Sequence, residues 1–203
     1  SQMILSASLI KDGRMEDFLS FIKDASKITP ILKDLLSAWV LMGLNDDVNA
    51  NRIFDKTAKV QGMGQFVNFH RAMSQLAAGK FEQALKTFNL IHSDKENPTR
   101  RSVISHTKIL LSQSKFKEAQ SLLEKWFGPT FDPEIEELFL NATNEKVYPK
   151  TSFSNINIAV ADVFHSIANL IRKEADPTFT LIYSRLAEYL DANHIDSILM
   201  TAD

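Results

Sequence analysis

The chain has 203 residues, of which 44% are hydrophobic and 24% charged, with a formal net charge of −2. These values are ordinary for a globular protein and exclude disordered and fibrous classes. The chain has 6 Gly and 6 Pro, about half of the number expected from average usage. These are the main turn-forming residues, so there are too few of them for the many tight turns of an all-β protein. Because the chain has no cysteine, disulfides, thiolate metal sites and cysteine nucleophiles are also excluded. The composition therefore favours a mostly helical protein.

The charge and apolar patterns exclude two kinds of partner. A net charge near zero gives no indication of the large positive surface that binding to nucleic acid or anionic lipid needs. The longest nearly apolar stretch, residues 35–44, is about half as long as the ~20 residues that a transmembrane helix needs. Residues 3–5 lack the basic flank and cleavage site of a signal peptide. We expect no membrane span, and the compartment stays open between the bacterial cytoplasm and, if a signal peptide precedes the chain, the periplasm or cell envelope.

The first predicted elements form a helical hairpin and the start of a second one. Leu9 lies in the first helix, Gly13 in the turn and Ile22 in the second helix, and Pro30 opens the next helix, where proline is tolerated at the first position. The helix over residues 30–42 is apolar around most of its circumference. Such a helix is buried on several sides, either by flanking hairpins or by a partner chain or dimer mate.

A repeat continues through the middle of the chain. Small and large apolar residues recur in the second helix of successive hairpins at spacings of 34 and 35 residues. A period of this length with a helix, a short turn and a helix is typical of arrays in which each hairpin stacks on its neighbours. The recurring pairs are Ala50 with Phe54, Ala84 with Phe88, and Ala119 with Leu123.

The period fails once, between residues 128 and 155. This segment contains Gly128 and Pro129, a short amphipathic helix over residues 134–142 and a loop over residues 146–155. It is either a hinge between two blocks or an irregular repeat inside one continuous superhelix. Continuity is favoured, because the residues from Ile156 onward are strongly apolar and need a neighbour to cover them.

A last hairpin follows, and the chain then enters a further helix. A stripe from Phe164 to Ile171 forms one helix, the break at residues 174–177 ends it, and residues 181–190 form its partner. Ile198, Thr201 and Ala202 lie 34 residues after matching positions of this hairpin, which indicates the truncated first helix of another repeat in a longer protein. We expect four hairpins over residues 1–127, an irregular connection over 128–155, and a hairpin with a truncated helix over 156–203.

The segments 78–84 (AGKFEQA) and 114–119 (SKFKEA) resemble the tetratricopeptide repeat superfamily. The stretches 35–43 (LLSAWVLMG) with 69–72 (FHRA), and 161–168 (ADVFHSIA) with 182–190 (IYSRLAEYL), look like long repeat proteins of alphaproteobacteria without an assigned activity. The resemblance implies an all-α, right-handed α-solenoid of stacked antiparallel helical hairpins. Its concave groove would be lined by the first helix of each hairpin.

Candidate binding residues follow from the positions that this resemblance places on the concave side. Aromatic and methionine side chains offer large contact areas, and basic side chains bind acidic groups. The alternative is that the apolar members pack between hairpins and the polar members are solvated. The candidates are an apolar floor of Trp39, Phe69 and Met73 beside His70, a basic pair of Arg101 and Lys108, and a polar strip of His165, Asn169 and Arg172 with Lys173.

The residues therefore predict a non-enzymatic scaffold that binds a protein or extended peptide. The five histidines match no recognised metal-ligand spacing, and no phosphate-binding loop or nucleophile elbow occurs, so we expect no metal, cofactor or catalytic site. The alternative is a regulatory or substrate-positioning module of a larger enzyme. A homodimer is a further alternative, formed through the groove or through an uncapped end that exposes Ile198 and Met200.

Overall fold

The structure, a computed structural model, describes residues 2–93, 98–149, 155–172 and 176–202. Within these ranges it contains twelve α-helices and no strand, so the expected all-α class is confirmed. Neighbouring helices pack in pairs, whereas the handedness of a solenoid stays a prediction. The helices are α1 (Gln2–Lys11), α2 (Met15–Asp24), α3 (Pro30–Gly43), α4 (Asp47–Thr57), α5 (Gly64–Ala77), α6 (Phe81–Ser93), α7 (Arg100–Ser112), α8 (Phe116–Phe127), α9 (Pro133–Thr143), α10 (Ile156–Ile171), α11 (Pro177–Leu190) and α12 (Ile195–Ala202).

The recurring residues of the sequence repeat lie in the core. All three recurring alanines and the large residues four positions after them are 0% exposed. On a helix, positions four residues apart share one face, so each of α4, α6 and α8 presents a small and a large side chain to its neighbours. The 34- and 35-residue spacings of the sequence are thus spacings between equivalent packing positions.

Several of the helices end in the same capping motif. Gly79 has φ +74° and follows α5, where its N–H donates to Leu76 O at 2.9 Å and the Lys80 N–H donates to Gln75 O at 2.8 Å. These two bonds define a Schellman motif, which caps the last carbonyls of a helix. The motif recurs with positive φ at Gly13, Asn45, Ser114 and Glu145.

The described helices form two compact units. The first contains residues 1–70 and 153–203, and the second contains residues 71–152, so that the division falls within α5. The boundaries at residues 128 and 156 were inferred from the period of the sequence, and they stay a prediction. Residues 150–154 of the expected loop and Lys173, Glu174 and Ala175 lie outside the described residues.

In the first unit, α3 is surrounded by other helices of the chain. It packs against α2, α4 and α10, and seven of its side chains are buried, including Leu32, Leu36 and Met42. This burial agrees with the apolar circumference that the sequence predicts for the helix. Other helices of the same chain cover its apolar side chains. The apolar helix α10 packs in turn on α3, α1 and α11, so the neighbours that cover it include helices from the start of the chain.

In the second unit, consecutive helices pack from α6 to α9, and α7 also contacts α9. Arg100 links these last two helices, since its guanidinium binds Asp132 at 3.0 Å and Glu134 at 2.8 Å. Asp132 also caps α9, because its side chain accepts the Glu134 and Ile135 N–H groups. At the other end of the unit, the buried Thr87 hydroxyl donates to Gln75 Oε1 at 2.8 Å and ties α6 to α5.

Stability should depend on which residue occupies the left-handed position after a first helix. We expect Ser114→Gly to raise the free energy of unfolding by about 0.5–1 kcal/mol, because Gly adopts φ +59° without steric cost. Gly79→Ala should lower it by about 1 kcal/mol through backbone strain alone, since a Cβ at Gly79 meets nothing within 4 Å. Urea unfolding measures both changes, and equal midpoints for the two variants would contradict the assignment.

Candidate functional site

The apolar floor expected from the sequence is interior in the structure. Trp39 on α3 and Phe69 and His70 on α5 are buried. The His70 ring lies 6.4 Å from Trp39 and 5.7 Å from Phe69, both edge to face. Met73 is buried as well, in the part of α5 that belongs to the second unit. The burial favours the alternative that these side chains pack between helices, because none of them offers contact area to a partner in this conformation.

The expected basic pair is partly engaged in the ion pairs between α7 and α9. Lys108 is half-buried, with its Nζ 3.8 Å from Glu134 Oε1 and 5.7 Å from the centre of the Tyr148 ring. Arg101 is exposed at the start of α7. The neighbouring Arg100, which the sequence did not single out, forms shorter contacts than Lys108 does, and its ion pair lowers the pKa of Asp132. Arg100 was missed because its partners lie 32 and 34 residues away.

The polar strip on α10 is divided between the interior and the surface. Asn169 and Arg172 are exposed, whereas His165 is half-buried. Its Nδ1 lies 3.2 Å from the hydroxyl of Ser197, a residue of α12 that is 0% exposed. His165 therefore contacts another helix of the chain, and the exposed part of the strip is its C-terminal end.

His165 belongs to a set that we call the α12 contact cluster: Asp162 and His165 on α10, His194 before α12, and Ser197 on α12. The His165 and His194 rings lie 5.1 Å apart. His194 Nε2 lies 3.9 Å from the buried Asp162 Oδ1, and its Nδ1 accepts the Ser197 N–H at 3.3 Å. His194 and Ser197 were not singled out from the sequence because their partners are 32 residues away.

Two opposing influences act on the protonation of His194. The cap on the Ser197 N–H needs an unprotonated Nδ1, and such a cap contributes about 1 kcal/mol. The Asp162 carboxylate favours the charged ring, and unit charges about 4 Å apart interact by a few kcal/mol at the dielectric of a half-buried site. The pKa of His194 is raised, chiefly by Asp162 and to a smaller extent by Asp196 and Asp191.

The surface beside this cluster is apolar. Leu170 at the end of α10 and Phe179 and Leu181 on α11 are exposed, as are Ile195, Ile198 and Leu199 on α12. A cleft of about 530 Å³ runs between α11 and α12 and is lined in part by Arg172, Leu181 and Met200. This is an open surface with side chains suited to binding apolar groups.

A second histidine cluster is buried in the other unit. His92 Nδ1 lies 2.9 Å from His106 Nδ1, and His92 Nε2 lies 3.3 Å from Ser102 Oγ. Since Ser102 donates its hydroxyl proton to Thr99 O at 2.8 Å, His92 Nε2–H must be the donor to Ser102 and His106 Nδ1–H the donor to His92. The His106 ring also stacks on Phe88 at 5.2 Å. The hydrogen-bond chain requires a neutral His92, because its Nδ1 accepts, whereas His106 donates from Nδ1 in either charge state.

Burial favours the neutral state of both rings. It lowers the pKa of His92 to about 4, with a smaller contribution from Lys125. It lowers the pKa of His106 to about 3, with contributions from the charge of His92 and from Lys115. The pair therefore makes folding depend on pH. Neither ring is open to a ligand, since both are buried.

Across the described ranges, no group of three or more His, Asp or Glu side chains is arranged to hold a metal ion. Over the same residues, none of the helices combines the length and the apolar character needed to cross a bilayer.

Truncation of Trp39 should destabilise the first unit. We expect Trp39→Ala to lower the free energy of unfolding by about 3–5 kcal/mol, as for other buried aromatic residues. Trp39→Phe should cost much less, because Trp39 Nε1 is buried without a hydrogen-bond partner among the described residues and its removal leaves no polar group unpaired. Urea unfolding followed by circular dichroism tests this. A Trp39→Ala protein of native stability would instead place Trp39 on a surface.

The buried histidine pair should weaken the fold on acidification. Its folded pKa values lie below the unfolded value of 6.5, so stability is full above pH 6.5 and falls as the pH drops toward 4 and 3. Between pH 7.5 and 5 the wild type should lose about 2 kcal/mol more than His106→Phe, which removes one titrating ring but keeps an aromatic stack. Urea unfolding at the two pH values measures the difference, and equal losses would refute the assignment.

Comparison of the chain with protein-family models, with curated proteins and with solved structures yields no significant match. The resemblance to tetratricopeptide repeats therefore stays a prediction from the residues that carry it.

Proposed function

We propose that this protein is a non-enzymatic helical-repeat scaffold that binds a partner protein, and that α12 carries its docking surface. The observation that supports this is the stripe formed by Ile195, Ile198 and Leu199, which are 69%, 41% and 60% exposed. With the exposed Ala202 they occupy positions i, i+3, i+4 and i+7, so they share one face of the helix. We call this face the α12 stripe.

The orientation of α12 is opposite to that of an ordinary surface helix. A helix normally buries its apolar stripe and exposes its polar face. In α12 the buried residue is Ser197, and Thr201 donates its hydroxyl proton to Glu188 Oε1 on α11 at 2.7 Å. The polar side faces the protein and the apolar side faces outward. A contiguous apolar face of this kind is a feature of protein-binding surfaces.

The surroundings indicate what kind of partner fits. The cleft beside α12 contains the apolar Leu181 and Met200 in a lining that also includes Arg172 and three threonines, and Asp196 is exposed next to the α12 stripe. An amphipathic helix with an apolar face and a basic edge complements both features. Two-fold pairing of the stripe with a second copy would bring the Asp196 carboxylates of both copies to one interface, which is unfavourable. The proposed occupant is therefore a helical segment of a different protein.

This surface replaces the groove expected from the sequence. Trp39, Phe69, His70 and Met73 are buried and do not contribute to it. Of the remaining candidates, Arg172 lines the cleft beside α12. The proposal thus keeps the scaffold function that the repeat predicts and moves its contact surface to the outward face of α12.

Site-specific photo-crosslinking in the native organism tests the proposal. A photoreactive side chain at Ile198 should capture one discrete partner protein, and Ile195→Lys on the same stripe should abolish the capture. The matched control is the same photoreactive group at Val48 on α4, which is also exposed and apolar at 71% but lies on another helix. The control site should not capture that protein.

Three other results would overturn the proposal. Crosslinks that join only copies of this chain would identify the stripe as a self-association surface. Crosslinks within one chain would mean that another of its own segments covers the stripe. Equal capture from the α12 and α4 positions would show that the contact is not specific.

A further inference from the structure

The cleft of about 530 Å³ between α11 and α12 has a lining of mixed chemistry. Of the described residues that line it, Arg172 is the charged one, and Leu181 and Met200 are apolar. Hydroxyl groups come from three threonines, which include Thr180. The volume lies within the range of about 300–1,000 Å³ that is usual for small-ligand sites, which combine apolar side chains with a few polar groups. The cleft therefore has the size and the composition of a ligand site.

The hydroxyl of Thr180 lacks a bond that other helical threonines of this chain make. Thr57, Thr87 and Thr107 each donate to the backbone carbonyl four residues earlier, at 2.9, 3.1 and 2.9 Å. Thr180 is only 8% exposed, yet its Oγ1 has no hydrogen-bond partner among the described residues. A buried hydroxyl without a partner is unfavourable. In a residue that lines a cleft, it points to a partner supplied by a ligand.

Rotation of the Thr180 side chain makes this hydroxyl accessible from the cleft. Threonine in a helix populates two χ1 rotamers, and exchange between them moves the hydroxyl group to another side of the Cβ atom. The rotation breaks no hydrogen bond among the described residues, because the Thr180 hydroxyl makes none there. Since Thr180 lines the cleft, the side chain can donate to a ligand bound in it.

Arg172 determines the charge of that ligand. It is exposed at the end of α10, and its guanidinium carries five N–H donors, two of which can bind one carboxylate side by side. Asp176, the acidic residue before α11, is not among the lining residues. Its carboxylate caps α11 by accepting the Thr178 N–H at 2.8 Å. The charge that faces the cleft from its described lining is thus positive.

We propose that this cleft binds a small amphiphilic carboxylate. Its carboxylate contacts Arg172 and the Thr180 hydroxyl, and its apolar chain packs against Leu181 and Met200. A wholly polar anion would leave these two apolar side chains in water, and an uncharged apolar molecule would leave the donors without an acceptor. A compound of fatty-acid chemistry satisfies both parts of the lining.

This ligand is distinct from the partner helix of the proposed function. Both would contact Leu181 and Met200, so we expect the carboxylate to compete with that helix. The competition rests on the proposed function, whereas the binding of the carboxylate does not.

Titration of the purified protein with hexanoate, followed by NMR chemical shifts, tests the site. Hexanoate should bind saturably, with a Kd on the order of millimolar for so small a ligand, and should shift the signals of the residues that line the cleft. Two probes serve as controls: 1-hexanol lacks the carboxylate, and acetate lacks the apolar chain. Each should bind at least about tenfold more weakly.

Substitutions separate the roles of the two polar side chains. Arg172→Gln should weaken hexanoate binding at least about tenfold, and Thr180→Val about fivefold, because each removes a donor to the carboxylate. Thr180→Ser keeps the hydroxyl and should retain the affinity. Thr180→Val should also keep its stability in urea unfolding, since it removes a hydroxyl that has no partner in the described chain. The matched control is Arg185→Gln, which removes an arginine of α11 that binds Glu188 and is not among the lining residues; it should bind hexanoate as the wild type does.

Four results would overturn the proposal: no saturable binding of hexanoate, equal affinity for hexanoate and 1-hexanol, unchanged affinity in Thr180→Val, or equal losses in Arg172→Gln and Arg185→Gln. Because the titration contains no partner protein, its outcome is independent of the crosslinking experiment. Failure of one proposal is therefore distinguishable from failure of the other.

Discussion

The structure depends on one packing constraint: a two-helix hairpin of this size cannot bury its own apolar face and must share it with neighbours. Ala84 and Phe88 show how the constraint is met, since a small residue admits a close neighbour and a large one fills the adjoining space, and both are 0% exposed. The constraint acts on any helix that offers an apolar side. It accounts for the chain's periodicity and also for the helices of the first unit that meet out of chain order, such as α10 on α3 and α1.

The helix α12 departs from this constraint, and it carries the docking surface that we propose. α12 places Ser197 inward and Ile195, Ile198 and Leu199 outward, so its amphipathic pattern is inverted relative to the body it packs on. The free energy that would come from burying its stripe is not gained within the described chain. We propose that it is gained on association with another protein, because the buried aromatic side chains near Trp39 offer no exposed surface.

The two histidine clusters show how environment sets opposite behaviour in the same side chain. His92 and His106 lie among apolar rings and near lysines, so both rings remain neutral and charging them costs folding energy. His194 lies near carboxylates, of which Asp162 contributes most, and they raise its pKa. The two clusters lie in different units of the chain.

The sequence by itself determined the helical class, the hairpin turns and the buried small and large residues, because these depend on local geometry and on a period of 34 or 35 residues. The family resemblance placed Trp39 and Phe69 on the concave side, but an apolar stripe does not distinguish a groove from a core. Only the tertiary structure decided that they are buried. It also decided that α10 packs on α3, that Arg100 bridges to Asp132, and that Asp162 meets His194. Such contacts join residues tens of positions apart, and their geometry depends on how every intervening helix packs.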